Sequence, residues 1–374
     1  MIDSINLLLG AGVSLHADMP GTWDLTDEIL NKYQDWYTEM GLEFKYLPKR
    51  EGFEGKVDID VDLIGKLIND INSILRNFSK RSTDPTYEDI FEAINQIISY
   101  ELNQDFNLLL YPTIEYLKNN FINVKIEKFD DCTKLIEDII RYRLQSNGRK
   151  MKEKPIQDIL KDKKYSEVNI FTLNFDTLIE ELLDRQNIDF NDGFDIPVFD
   201  NQARIWNMNS FLNNNTNTIN IYKLHGSLDW KKLLGSEDYF PFFKIIDMPD
   251  YPHFKSDYDT IATSSNTILL GKESKLYSYN YGIFIDLLML FYLKLQKSNT
   301  LIISGFGFGD YGINLRIIDW MMKNQSNNII CIDPGFDWIY EKSTGTYKRL
   351  FDEWADDKRL TIIKQRFEEW NGIF

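Results

Sequence analysis

Seven short apolar runs, rich in β-branched residues, limit most strongly what this chain can fold into. They are Ile5–Leu9, Val168–Leu173, Ile219–Leu224, Thr267–Leu270, Thr300–Ser304, Asn328–Ile332 and Leu360–Ile363. Continuous rather than alternating apolar character is expected of strands buried on both faces, as in a parallel sheet. Most of the runs are flanked by helical stretches. The predicted fold class is therefore α/β, a Rossmann-like parallel sheet with helices on both faces.

Between about Thr26 and Tyr165 the strand signal gives way to helical periodicity. Leu63, Leu67, Ile71, Ile74 and Leu75 recur at three-to-four spacing within Asp62–Phe78, and Ile90, Phe91, Ile94, Ile97 and Ile98 do so within Tyr87–Tyr100. Ser82-Thr83-Asp84-Pro85 reads as the entry to the second of these helices. The expected organisation is a single domain, 1–374, with a core of 1–25 and 166–374 and a mostly helical insertion at 26–165. Asn213-Asn214-Asn215-Thr216-Asn217 reads as a polar surface loop, and the aromatic, Asp- and Pro-rich stretch from Gly235 to Ser265 as an irregular cover for a site.

Composition narrows the function classes. With 374 residues and 43% apolar content the chain can bury a large core, and 14% aromatics argue against disorder. A net charge of −16 disfavours strong direct binding to nucleic-acid phosphates. Cys132 and Cys331 are the only cysteines and form no Cys-x-x-Cys pair, so neither a disulfide framework nor a cysteine zinc site is expected, and the cytoplasm is the expected location. The longest apolar run, Ile283–Leu295, contains Asp286 and Lys294 and is too short to span a bilayer. It reads as a buried helix, and the apolar run Ile5–Leu9, leading straight into Gly10-Ala11-Gly12, is expected to be a strand rather than a secretory signal.

Five polar signatures follow strand ends. Gly10-Ala11-Gly12-Val13-Ser14 follows the first run. Glycines there let backbone approach a phosphate, but Leu15 stands at the third glycine position of a dinucleotide fingerprint, and a tight turn is an equal reading. Asn174 and Asp176, in Thr172-Leu173-Asn174-Phe175-Asp176, sit where open α/β sheets bind ligands, and either also suits a cap for a helix beginning near Thr177. His225 follows the third run directly and precedes Gly226. It suits a general base or a ribose contact, and equally a hydrogen-bonded structural imidazole. His16 and His253 lack such a context. Gly305-Phe306-Gly307-Phe308-Gly309-Asp310 allows close backbone approach or simply unusual φ values. Asp333, before Pro334, suits a ribose diol or a turn.

The order of these motifs, with Met19-Pro20 between the first two, resembles the sirtuin-like (silent information regulator two) family. More narrowly it resembles the NAD-hydrolysing branch of bacterial anti-phage defence, which includes a HerA-associated type. The matching motifs run from Gly10 to about Asp333. The resemblance implies that Ala11, Gly12 and Ser14 line the dinucleotide phosphates. It implies that Asn174 contacts the nicotinamide ribose and the reacting water, that Asp176 supports that segment, and that His225 is the catalytic histidine. Gly305, Gly307 and Asp310 would lie near the phosphates or the adenine-side ribose, and Asp333 near the adenosine. NAD would be a substrate, with no metal.

Departures from the family pattern weigh against parts of it. Two cysteines cannot form the four-cysteine zinc module of sirtuin deacylases, and Pro20-Gly21-Thr22-Trp23 replaces their Pro-Asp-Phe-Arg stretch. The expected activity is therefore NAD+ glycohydrolysis to nicotinamide and ADP-ribose. The enzyme would be restrained until assembly or a partner activates it, the implied partners being further copies of the chain, a HerA-type ATPase or a short Argonaute. The competing readings are a non-catalytic NAD or ADP-ribose sensor or scaffold, a nuclease subunit of a HerA-type complex and, last, a deacylase.

Overall fold

The computed structural model describes residues 4–40, 60–78, 84–102, 111–121, 123–152, 154–161, 165–198, 203–212, 218–233, 243–245, 263–280, 282–343 and 346–371. The loop expected at 213–217, His253 and nearly all of the stretch from 235 to 265 lie outside these residues. In chain order the described strands are β1 (Ser4–Leu9), β2 (Glu167–Thr172), β3 (Phe194–Val198), β4 (Ala203–Trp206), β5 (Thr218–Lys223) and β6 (Gly226–Leu233). They continue with β7 (Phe243–Ile245), β8 (Thr263–Ile268), β9 (Thr300–Ser304), β10 (Asn328–Ile332) and β11 (Leu360–Ile363).

The chain divides into two compact units. The first comprises Met1–Met19, Ser146–Leu269 and Leu276–Phe374; the second comprises Pro20–Gln145 and Leu270–Lys275. The first unit is built on a six-stranded sheet of order β11-β10-β9-β1-β2-β5, parallel throughout. Every residue from Ile5 to Leu9 is buried, as is every residue from Val168 to Thr172, so both faces of the central strands are covered. On one face the helices Gly282–Leu295 and Tyr311–Lys323 contribute Leu287, Phe291, Ile317 and Trp320 to a core shared with Leu8, Phe171, Tyr222 and Leu301.

A row of asparagines crosses the middle of this sheet. Asn6, Asn169 and Asn220 are register partners on β1, β2 and β5. The Asn169 amide donates to Asn6 Oδ1 at 3.1 Å, and the Asn220 amide to Asn169 Oδ1 at 3.0 Å. A one-residue slip would leave these buried amides unpaired, which is a strong penalty against misregister.

One of the seven runs behaves differently from its expectation. Thr267–Leu270 does not join the parallel sheet. The strand there is β8, which pairs antiparallel with β6 in a second sheet of order β3-β4-β7-β6-β8. A four-residue apolar run cannot by itself tell the two kinds of pairing apart.

The second unit is helical. Its helices are Thr22–Asn31, Tyr33–Met40, Val61–Phe78, Tyr87–Glu101, Tyr111–Asn119 and Ile126–Leu144. The buried stripe of Val61–Phe78 is Ile64, Leu67, Ile68 and Ile71, whereas Leu63, expected on it, is exposed. The helix expected from Tyr87 begins there, with Asp89 accepting the Thr86 N–H at 2.9 Å. Glu28 takes a bidentate pair from Arg143 at 2.6 and 2.9 Å. The short segment Leu270–Lys275 is bound by three acids of one helix. Lys272 reaches Asp89 at 2.7 Å, the Ser274 hydroxyl reaches Glu92 at 2.6 Å, and Lys275 reaches Glu88 at 2.7 Å. No helix among the described residues is long and apolar enough to cross a membrane.

Candidate functional site

Five neighbouring parallel strands, β10, β9, β1, β2 and β5, deliver all the signature residues to one edge of the large sheet, because each signature follows the carboxyl end of its strand. Chain order runs outward from β1 through β2 to β5, then returns to β9 on the other side of β1. The reversal puts a topological switch point beside β1, the place where open α/β sheets bind ligands.

At that point the turn after β1 and the loop after β9 touch backbone to backbone. Gly10 N–H donates to the Ser304 carbonyl at 2.9 Å, and Gly12 N–H to the Gly305 carbonyl at 3.1 Å. A Cβ on Gly10 would lie 2.4 Å from Gly305 O, one on Gly12 2.6 Å from Gly305 Cα, and one on Gly305 2.5 Å from Val13 N. Gly305 also has φ +65°, in the left-handed region. These three glycines are therefore required by the packing of one loop on the other. The N–H groups of Val13 and Ser14 are used within the turn, by Gly10 and Ala11 carbonyls. Further along the second loop the situation reverses. A Cβ on Gly307 or Gly309 would meet nothing within 4 Å. Between them Phe308 holds φ +54°, unusual for a bulky residue, and its ring packs against Phe306 and Phe351 at centroid distances of 5.0 and 5.1 Å.

Ser14, Asn174 and Asp176 form a buried relay. The Asn174 amide Nδ2 donates to Ser14 Oγ at 2.9 Å, and Ser14 Oγ donates to Asp176 Oδ2 at 3.1 Å. Because the serine proton goes to a carboxylate, the serine must accept from Asn174, and this fixes which end of the amide faces it. Asn174 N–H is held by Thr172 Oγ1 at 3.1 Å. Asn174 Oδ1, in contrast, is buried with no hydrogen-bond partner. At the helix start Asp176 Oδ1 accepts Leu178 N–H at 3.2 Å, while the N-cap position itself is Thr177 and neither Asn174 nor Asp176 occupies it. Burial pushes the Asp176 carboxyl up; Lys223, Leu178 N–H and the Ser14 hydroxyl partly offset this. Lys223 donates to the Asp176 carbonyl and pairs with buried Glu180 at 3.1 Å.

His225 is buried beside Gly226, whose φ of +86° and close approach to the Thr267 carbonyl exclude a side chain. Its Nε2 lies 2.9 Å from both Tyr279 Oη and Asp310 Oδ2. Asp310 also opens the helix Tyr311–Lys323, its Oδ1 accepting Ile313 N–H at 2.9 Å. Tyr279 carries no motif signal in the sequence, and only the fold brings it to His225. Asp333 closes a turn through Gly335 N–H at 2.7 Å, and burial pushes its carboxyl up against the backbone N–H groups of Gly335 and Gly305. His16 stands apart from these groups, its Nε2 accepting Lys152 N–H at 2.7 Å. No group of three or more His, Cys, Asp or Glu that could hold a metal ion occurs among the described residues.

A family profile described as SIR2-like domain matches residues 168–363, more than half of the chain. No curated protein matches the sequence. Among solved structures, the chain is similar to a Sir2 homologue mutant in complex with ADP-ribose, at 11% identity over 100% of this chain and 90% of that one, with TM-score 0.44. A Sir2 homologue–NAD complex aligns at 10% identity over 99% of this chain and 87% of that one, with TM-score 0.36.

Proposed function

The chain belongs to the SIR2-like domain family, and from that premise we propose that it binds NAD+ and hydrolyses it to nicotinamide and ADP-ribose. The observation that carries the reading is Asn174. Its amide nitrogen is fixed by Ser14 while its buried Oδ1 has no partner. An acceptor held in place and left unsatisfied is costly in a folded protein unless a ligand or water completes it. A ribose hydroxyl or the attacking water supplies the missing donor.

In the reaction the bond between ribose C1′ and the pyridinium nitrogen breaks. Its electron pair stays on nitrogen, so nicotinamide leaves neutral and needs no acid. Positive charge develops on the ribose, as in other glycoside cleavages. Water adds to C1′ and yields a proton. Asn174 orients that water, and His225 takes the proton. Ala11 and Gly12, both exposed, together with Gly307 and the open space over it, accommodate the pyrophosphate, and Asp333 faces the adenosine side. Ser14 and Asp176 act through Asn174 by fixing its amide. The chemistry asks the protein to position the substrate and stabilise charge; fixed geometry alone is able to supply several kcal/mol.

Uncontrolled NAD+ loss is toxic to a cell. The proposed role is therefore a NAD-depleting effector of anti-phage defence, kept inactive until it assembles with further copies or with a partner such as a HerA-type ATPase. The test is nicotinamide release, followed by chromatography, for wild type, Asn174→Ala and His225→Ala, with and without cell lysate or a candidate ATPase. Loss of either group is expected to lower turnover by about two to four orders of magnitude with the fold intact. More than about a tenth of wild-type activity in both variants would remove the assignment. NAD binding without turnover under any condition would favour the sensor reading instead.

A further inference from the structure

We infer that Asp310 and Tyr279 are positioning residues for His225, fixing the imidazole with its hydrogen on Nε2 and its basic nitrogen at Nδ1. The inference deepens the reading that His225 accepts a proton, and rests on it.

The argument is a count of protons among three atoms. Nε2 of His225, Oη of Tyr279 and Oδ2 of Asp310 stand 2.9, 2.9 and 3.0 Å apart, each within hydrogen-bond reach of the other two. Tyr279 owns one proton and Asp310, as a carboxylate, none. The Tyr279 hydroxyl donates to Asp310 Oδ2, so its oxygen turns lone pairs toward Nε2. Nε2 then faces two acceptors and must carry a hydrogen. The opposite tautomer would set a ring lone pair against a carboxylate oxygen 2.9 Å away. When the ring takes a second proton at Nδ1, the same carboxylate stabilises the imidazolium.

The surroundings are built for this arrangement. Asp310 is anchored independently of His225, because its other oxygen caps the helix Tyr311–Lys323. Gly312, in the first turn of that helix, makes room for the partner: a Cβ there would lie 2.8 Å from the Tyr279 ring. One helix start thus supplies both the carboxylate and the seat of the phenol. Of the other titratable groups nearby, Lys223 is turned to the Asp176 carbonyl and Glu180, and the Tyr347 phenol is raised by burial first, with Asp310 adding a little. Phe175, with its ring centroid 6.5 Å from the imidazole, lines a further side.

The test reads the histidine itself, so that it does not depend on turnover. The chain has three histidines, which makes ring-nitrogen NMR of the histidine-labelled full-length protein tractable, and His225→Gln assigns the resonance. In wild type at pH above the titration, the shifts should report a protonated Nε2. In Asp310→Asn, which retains a good helix cap, His225 should titrate about one to three pH units lower. In Tyr279→Phe the Asp310 carboxylate still faces Nε2, so the hydrogen should stay there, with a smaller change in the titration point. Where the enzyme turns over, both variants should lose kcat with little change in KM for NAD. An unprotonated Nε2 in wild type, or an unmoved titration in Asp310→Asn, would overturn the inference. NMR results as expected without nicotinamide release would keep the positioning and remove the hydrolase reading.

Discussion

The loop that leaves β9 has a closed half and an open half within five residues. At Gly305 it is pressed against the turn after β1, with backbone atoms where any side chain would go. At Gly307 and Gly309 it faces space in which a side chain would meet nothing within 4 Å. The polar groups divide in the same way. Asp176 is enclosed by Ser14, Leu178 N–H and Lys223, and His225 by Tyr279 and Asp310, whereas Asn174 ends on an acceptor with no donor. The difference separates glycines and polar groups already satisfied within the fold from those left open for a ligand or water to complete.

The largest effect is expected where the closed half is broken. Gly305→Ala puts a methyl group 2.5 Å from Val13 N and forces an L-residue to φ +65°. Overpacking and backbone strain together should cost roughly 3–5 kcal/mol, read as a fall in Tm of roughly 5–10 °C. A variant as stable as wild type would mean that the two loops are not locked together as described.

A smaller and more selective effect is expected at Asp176. Burial raises its carboxyl above the ordinary range despite its partners. The folded state then holds the proton more tightly than the unfolded chain, so this group's contribution is greatest below about pH 4, the unfolded value, and declines as pH rises through the folded value. In Asp176→Asn that decline is absent. The amide also disturbs the direction of the Ser14 relay, but this is an offset that does not vary with pH. The difference in Tm, wild type minus variant, should therefore fall between pH 4 and pH 7. A difference that is flat or rises with pH contradicts the assignment of an enclosed, raised carboxyl.

How much of this was legible depends on the distance over which the cause acts. The strands of the large sheet stand out in the sequence because burial makes them mainly apolar, as in Leu7-Leu8-Leu9 and Ile302-Ile303, with polar positions such as Asn6, Asn169 and Asn220 paired inside the sheet. The second sheet does not, since β3 and β4 interleave Asp, Pro and Arg with apolar residues, and β8 opens on Thr-Ser-Ser-Asn. The signature residues could be found because each follows a strand end. Their partners could not: Tyr279 lies 54 positions from His225 and Asp310 lies 85, distances closed only by the crossovers of the sheet. Asp310 was legible as a residue of a glycine loop, but its carboxylate is directed to the histidine. The glycines of the first turn were legible as a need for small residues. That the need arises from Gly305 required the fold.

The smallest effect on stability, and the sharpest use of the comparison, is expected at Gly307. Its φ is outside the left-handed region and its side-chain direction is open, so alanine should change stability by no more than about 0.5 kcal/mol in either direction. Any gain would come from the reduced freedom of the unfolded chain. If the open half of the loop receives the pyrophosphate, however, the added methyl group occupies ligand space and NAD affinity should fall by about tenfold, or 1.4 kcal/mol. Calorimetric titration in an Asn174→Ala background, in which slow turnover leaves NAD intact, would measure this directly. Unchanged affinity together with unchanged Tm would move the phosphates away from Gly307. Weakened binding at unchanged Tm would separate the ligand's demand for glycine from the fold's, inside one loop.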